Sequence, residues 1–460
     1  MSSTYKNNIV DIQAFIDSAK VSAFQLRTLI LCFLVTAIDG LDTAAIGFIA
    51  PALREGWGLN TSDLGVVLGA ALIGLMLGAF LVGPLADRFG RKRILLISVV
   101  CFGSFSLAAG FASDLHSLAV LRFLTGLGLG GAMPTAITLT SEYCPQRRRS
   151  LMVTSMFCGF TLGSALGGVV AAQMLPAFGW RSVLILGGIL PLLLLPMLYA
   201  FLPESVRFLS RKNASDPLIK SVLGKIAPVP EGAQSFYLDE AVTTESPIRQ
   251  IVSGELRLGT WMIWLTFFMS LLIIYGMTNW LPLLIKDTGL TLSEAAMISA
   301  LFQIGGTLGA IILGAAMDRF NPHYVLVTAY IAGAGFLFGM GQSYDNYLNL
   351  AMCVAGMGFC VSGSQVGANA LAAAFYPTTS RATGVSWAHG VGRIGSVCGT
   401  FGGAFLLSAG LDFETLFTFL MIPAVVAALA MFIKSGDRAK AKFVKPQTAV
   451  CNKWCNDATL

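Results

Sequence analysis

Twelve stretches of about 20 predominantly apolar residues, the length that crosses a bilayer as an α-helix, dominate this 460-residue chain. They fall at 27–50, 63–84, 94–113, 117–140, 150–175, 180–202, 259–286, 293–314, 323–341, 347–371, 384–409 and 413–434. Charged residues make up only 12% of the sequence, against roughly 25% in a soluble domain, and the mean hydropathy is +0.74. The spacing therefore predicts an all-α membrane protein with twelve transmembrane helices. One long polar interruption divides it into a first six-helix half (1–202), a linker (203–258), a second six-helix half (259–434) and a tail (435–460).

Lysine and arginine orient these spans. With the N-terminus on the cytoplasmic side, 25 of the 30 fall in cytoplasmic tails and loops, three outside (Arg54, Arg181, Lys286) and two within spans (Arg122, Arg393). Such a bias is the positive-inside pattern, which places both termini in the cytoplasm and accounts for the net charge of +6 without any nucleic-acid partner. Residues 1–26 are polar and carry Lys6, Asp11, Asp17 and Lys20, so the first span itself is read as the insertion signal rather than a cleaved leader. Most of the nine cysteines lie inside spans and read as small buried residues. Cys451 and Cys455, without a nearby histidine, make a poor metal set, and no metal or cofactor is assigned.

An internal repeat organises the spans. Residues 73–89 (IGLMLGAFLVGPLADRF) align without gaps on 304–320 (IGGTLGAIILGAAMDRF) at an offset of 231, with nine of seventeen positions identical. Asp87, Arg88 and Phe89 recur as Asp318, Arg319 and Phe320, and Pro145 and Arg149 recur as Pro377 and Arg381. Both echoes sit at cytoplasmic ends of equivalent spans. The halves therefore run parallel, related by an axis along the membrane normal.

Charges inside the spans need a reason. Asp39 and Asp42 lie in the middle of the first span, twelve residues or about 18 Å of helix rise beyond Arg27 in the case of Asp39. A carboxylate at that depth costs on the order of 3 kcal/mol and usually marks an ion, proton or substrate path. At a spacing of i, i+3 the two share a face, and Gly40 between them is expected to leave the backbone accessible. Two acids so close resist simultaneous ionisation, and a carboxyl poised in that way can carry a proton. Arg122 and Arg393 need anionic partners at the same depth, and one of them can find Asp39 or Asp42. Gln303, Gln365, Asn279 and Asn369 are uncharged polar residues in spans of the second half, divided between cavity lining and interhelical hydrogen bonding. The run Gly126–Gly131 lies inside a span with no strand before it and no lysine after it, so it reads as close helix packing rather than a phosphate loop.

Several segments resemble the major facilitator superfamily. Gly83-Pro-Leu-Ala-Asp-Arg-Phe-Gly-Arg-Lys-Arg93 is similar to its loop signature, and Pro203-Glu-Ser-Val-Arg-Phe208 to the segment that follows its sixth span. Asp39-Gly-Leu-Asp42 followed by Gly47-Phe-Ile-Ala-Pro-Ala-Leu53, with Arg122–Gly130 and Tyr376–Trp387, resembles the aromatic acid:proton symporters, nearest the importers of 4-hydroxybenzoate and protocatechuate. That resemblance implies a monomeric carrier of a bacterial inner membrane. It would couple proton entry at Asp39 or Asp42 to uptake of an aromatic carboxylate. Arg393 or Arg122 would hold the carboxylate by a two-pronged hydrogen bond. His389 and Trp387, four and six residues before Arg393 on one span, are the candidate ring contacts, joined by Gln303, Asn369 and Phe302. In the resembled superfamily the loop latches one state through a charge network. On that basis Asp87, Arg88, Arg91, Glu142, Arg149, Asp318 and Arg381 are assigned to gating, with Glu142 and Arg149 as partners of Asp87. The second copy of the loop has Asn321-Pro-His-Tyr324 in place of Gly-Arg-Lys-Arg, so a latch there should be weaker.

Other readings remain open at this level: a sugar or polyol porter, a porter of other organic anions, or a membrane receptor for aromatic acids. Two acids and two arginines suit an anion better than a neutral sugar. An enzyme is disfavoured by the absence of HExxH, GxSxG and Walker patterns.

Overall fold

The computed structural model describes residues 5–6, 9–230, 233, 235–237, 251–342, 346–376 and 381–436. Twelve helices in it are long and apolar enough to cross a membrane. Spans 1 to 6 are Ala23–Trp57, Thr61–Phe89, Arg91–Ala109, Leu115–Tyr143, Arg149–Phe178 and Trp180–Phe201. Spans 7 to 9 are Arg257–Asp287, Leu292–Arg319 and Pro322–Gln342. Span 10 is composite, an α-helix Tyr347–Met357, a π-helical turn Gly358–Ser362 and a second α-helix Gly363–Phe375. Spans 11 and 12 are Arg381–Ser408 and Phe413–Ser435.

Local chemistry sets several of the starts. Ser22 with Gln25, Asn60 with Asp63, Asp114 with Ser117 and Thr291 with Glu294 form reciprocal caps, satisfying amides that the first helical turn leaves without partners. Many helices run a turn or more past the apolar windows, because hydropathy reports the hydrocarbon layer and the helix continues beyond it.

Packing repeats with a shift of six spans. Span 1 packs on span 5 as span 7 packs on span 11; span 2 on span 4 as span 8 on span 10; span 3 on span 6 as span 9 on span 12. This is the parallel two-half arrangement predicted from the repeat. Between halves, span 2 meets span 11, span 5 meets span 8 and span 1 meets span 7. On the side opposite the termini these contacts are tight. Arg54 forks onto Asp287, Lys286 Nζ lies 3.3 Å from Glu55 Oε1, and Gly65 abuts the methyl of Ala404. At mid-depth the Thr307 hydroxyl donates to Thr161 Oγ1 at 2.7 Å. That face of the molecule is shut.

The termini side carries a cap that the all-α prediction did not contain. Strand Ile9–Asp11 pairs in parallel with Ser235–Tyr237 from the linker and antiparallel with Tyr5–Lys6. Helix Ile12–Ser18 and linker helices Val206–Lys212 and Pro217–Leu223 pack beside it, burying Val10, Phe15, Ile16, Ile219, Leu223 and Phe236 on the first half. Two- and three-residue strands are too short to show an alternation in sequence. The first part of the linker is thus a folded element of the first half, rather than the plain polar interruption its composition implied.

Candidate functional site

Asp42 and Arg122 form an ion pair at 3.0 Å with both side chains 0% exposed. Arg122 Nη1 reaches both carboxylate oxygens, Nη2 donates to the Asp42 carbonyl at 3.2 Å, and the Ser106 hydroxyl makes a short hydrogen bond to Oδ1. Three spans of the first half, 1, 4 and 3, are thereby tied around one charge pair. In a dry interior such a pair is tolerable only with its hydrogen bonds made. Arg122 is therefore already committed within its own half.

Asp39 has different surroundings. It is buried and, among the described residues, accepts a single hydrogen bond, from the Thr43 hydroxyl one turn along the same helix at 3.1 Å. The charge of Arg393, from span 11 of the opposite half, acts on it. Among the described residues Arg393 makes no ion pair. Its Nη1 donates to the Tyr275 hydroxyl at 2.7 Å, its guanidinium lies 5.7 Å from the Tyr275 ring centroid, and Nη2 stands 4.0 Å from Met133 Sδ on span 4. One turn earlier, His389 sits edge-on to Phe267 with centroids 5.3 Å apart, and the Arg393 charge acts on it too. The site therefore holds one ion pair closed within the first half, in which Arg122 Nε has no hydrogen-bond partner among the described residues, one lightly held acid and one arginine without a carboxylate. Sequence reasoning placed Arg122, Arg393 and both aspartates but missed Ser106, Thr43 and Tyr275. Hydroxyls on apolar helices carry no distinguishing pattern of their own.

The remaining candidates separate. Trp387 is 44% exposed and stacks on Trp264 at 5.7 Å, with Trp261 edge-on to Trp264. Six residues before Arg393 is about 240° around the helix, so Trp387 points away from the arginine, into a tryptophan cluster near a span end of the kind found at membrane interfaces. Gln303 is buried, its amide donating to Thr278 Oγ1 at 3.2 Å, and Phe302 is core. Asn279 donates to Thr400 at 2.8 Å. Gln365 and Asn369 lie one turn apart on span 10, and among the described residues both Gln365 amide atoms and the Asn369 oxygen lack partners. Gly40 does not open the backbone as expected. A Cβ there would lie 2.0 Å from the Phe160 carbonyl oxygen, so the glycine lets span 5 press against span 1.

At the termini side, the side chains of Asp87 and Arg381 lie outside the described residues, as do Pro377, Cys451 and Cys455. Glu142 faces Arg91 Nε at 3.6 Å and takes a short hydrogen bond from Ser205; its expected partnership with Asp87 lies outside the described residues. Glu204 receives the backbone N–H of Lys92 at 3.0 Å, and Tyr143 donates to the Glu204 carbonyl at 2.5 Å. Gly90 has φ of +101° and brings the backbone against Glu204, where a Cβ would stand 2.4 Å from Oε2. The loop signature and the segment after span 6 thus form one network. Arg149 Nη2 and Arg207 Nη2 both donate to Gln13 Oε1, at 3.1 and 2.8 Å, joining the N-terminal helix to it. Arg88 is exposed against its neighbour Phe89, and Asp318 is exposed.

Residues 32–343 and 283–454 both match the family described as Major Facilitator Superfamily. The chain belongs to the Major Facilitator Superfamily. It is 51% identical over 428 residues to the 4-hydroxybenzoate transporter PcaK of Pseudomonas putida, covering 92% of this chain and 96% of that protein. To the gallate transporter of Pseudomonas putida it is 46% identical, covering 94% and 96%, and to the benzoate transport protein of Acinetobacter baylyi 30%, covering 98% and 97%. Among solved structures, the partially occluded inward-open conformation of the xylose transporter XylE from E. coli superposes with a TM-score of 0.72 at 18% identity, covering 89% of this chain and 98% of that one. The facilitator fold and a role in transport rather than catalysis follow. So does a multi-pass membrane protein.

Proposed function

We propose that this carrier imports aromatic carboxylates such as 4-hydroxybenzoate, protocatechuate or benzoate together with protons, by alternating access across a bacterial inner membrane, with both termini cytoplasmic. The observation that carries the reading is the division of labour between the two intramembrane arginines. Arg122 is consumed by Asp42, whereas Arg393, among the described residues, has no carboxylate and is held by a tyrosine hydroxyl and ring and a methionine sulfur. An arginine cannot shed its proton to escape burial, so Arg393 is short of an anion that a substrate carboxylate supplies through two parallel hydrogen bonds. A neutral sugar offers no such charge, which favours the organic anion over the sugar reading. The relatives transporting 4-hydroxybenzoate, gallate and benzoate support the same substrate class.

Asp39 is the proton carrier in this scheme. While ionised it attracts Arg393; once protonated it releases that arginine to the incoming carboxylate. Each ligand then favours the other's binding, which is the linkage a symporter requires. The shut face opposite the termini supports reading this as the inward-facing member of the cycle. The test is uptake of labelled 4-hydroxybenzoate into de-energised right-side-out vesicles. An imposed inside-alkaline gradient should drive accumulation, an uncoupler should abolish it, and Asp39→Asn should lose accumulation while keeping exchange. Uptake indifferent to gradient and uncoupler refutes the coupling.

A further inference from the structure

Among the described residues, span 10 is the one membrane helix whose hydrogen bonding changes to a π-turn part-way, at Gly358–Ser362. Such turns insert an extra residue into a helix and recur at functional sites. Here the turn is followed at once by Gln365 and Asn369. Gln365 is only 7% exposed, yet among the described residues neither its amide nitrogen nor its amide oxygen has a partner, and the buried Asn369 oxygen has none either. A buried unpaired amide carries an uncompensated desolvation cost. Two on consecutive turns of one face call for a ligand.

Their direction follows from their neighbours. A Cβ on Gly363 would lie 2.6 Å from the Gly309 backbone of span 8, and one on Gly367 would lie 2.7 Å from Met317 Sδ and 3.1 Å from Leu326 of span 9. Those glycines mark the face packed on spans 8 and 9. At 3.6 residues per turn, Gln365 and Asn369 stand about 200° and 240° around from Gly363, on the opposite face. Gln365 is buried and the oxygen of the half-buried Asn369 is covered, so these polar atoms face away from the bilayer. Depth agrees as well: Gln365 is ten residues from the helix end at Phe375, about 15 Å, and Arg393 is twelve from the start of span 11 at Arg381, about 18 Å. Spans 10 and 11 pack together with their adjoining ends on the termini side.

We infer that Gln365 and Asn369 read the ring hydroxyl of the substrate, at the end remote from the carboxylate held by Arg393. This rests on the aromatic-carboxylate reading and adds to it the residues that tell a hydroxylated benzoate from benzoate. A primary amide suits a phenol, since its oxygen accepts the O–H and its nitrogen donates to the phenol oxygen. The π-turn sets the rotation that brings the pair to this face.

The experiment compares binding of 4-hydroxybenzoate and benzoate to the purified full-length carrier by calorimetry, in the wild type, Gln365→Met and Asn369→Leu, with thermal melting as a control for folding. Gln365→Met should weaken 4-hydroxybenzoate about tenfold, equivalent to about 1.4 kcal/mol, and leave benzoate unchanged or tighter. Asn369→Leu should act in the same direction. Equal losses for both ligands, or no loss for either in folded variants, overturns the assignment while leaving the transport reading intact. A folded wild type that binds neither acid overturns the transport reading, and this inference with it.

Discussion

Arg122→Ala should destabilise the protein far more than Arg393→Ala, although both remove one intramembrane guanidinium. Arg122 and Asp42 are each 0% exposed and 3.0 Å apart. Deleting the cation leaves a carboxylate with the Ser106 hydroxyl alone, and removing one member of a buried pair costs about 3–5 kcal/mol. Arg393→Ala forfeits one hydrogen bond to Tyr275 and a ring contact, together about 1–2 kcal/mol. Its effect should fall on ligand binding instead. Reversible denaturation of purified carrier in mixed micelles measures both. Replacing both partners, as Arg122→Leu with Asp42→Leu, should recover part of the loss, because the pair's desolvation penalty disappears with its attraction. The double-mutant cycle should give a coupling of about 1–3 kcal/mol. A loss below about 1 kcal/mol for Arg122→Ala, or strict additivity in the cycle, would refute the structural role given to this pair. Loss of 4-hydroxybenzoate binding in Arg122→Ala but not in Arg393→Ala would reverse the assignment of the two arginines.

Two further expectations concern the termini side. Gly90→Ala forces an L side chain into positive φ and against Glu204, costing about 1–2 kcal/mol; melting temperature and uptake should both fall, and unchanged values of both would contradict the Gly90–Glu204 contact. Asp87→Asn should cut uptake severely in protein that still inserts, and Asp318→Asn mildly, because the second loop copy lacks the basic residues that follow the first. Equal effects at matched expression would contradict that asymmetry.

The sequence could be read for everything that depends on single segments. Hydrocarbon thickness and residue hydropathy act locally, so the spans are visible as windows, and the offset of 231 residues reveals the two equivalent halves. Insertion cost is also local, which is why Asp39, Asp42, Arg122 and Arg393 stand out before any partner is known. Partnership itself belongs to the tertiary structure. Asp39 and Asp42 are three residues apart, so one helical rotation decides which of them meets Arg122, 80 positions from Asp42, and Ser106, 64 positions from it. The same rotation conceals Gly40 beneath Phe160, and the rotation of span 11 turns Trp387 from Arg393 toward Trp264. The cap sheet joins residues 9–11 to 235–237, and no local pattern records a pairing across that distance. The π-turn in span 10 arises where Gly358 lies against Phe302 and Gly363 against Gly309 of span 8. That close approach of two helices exists only once the second half is assembled, and it determines where Gln365 and Asn369 point.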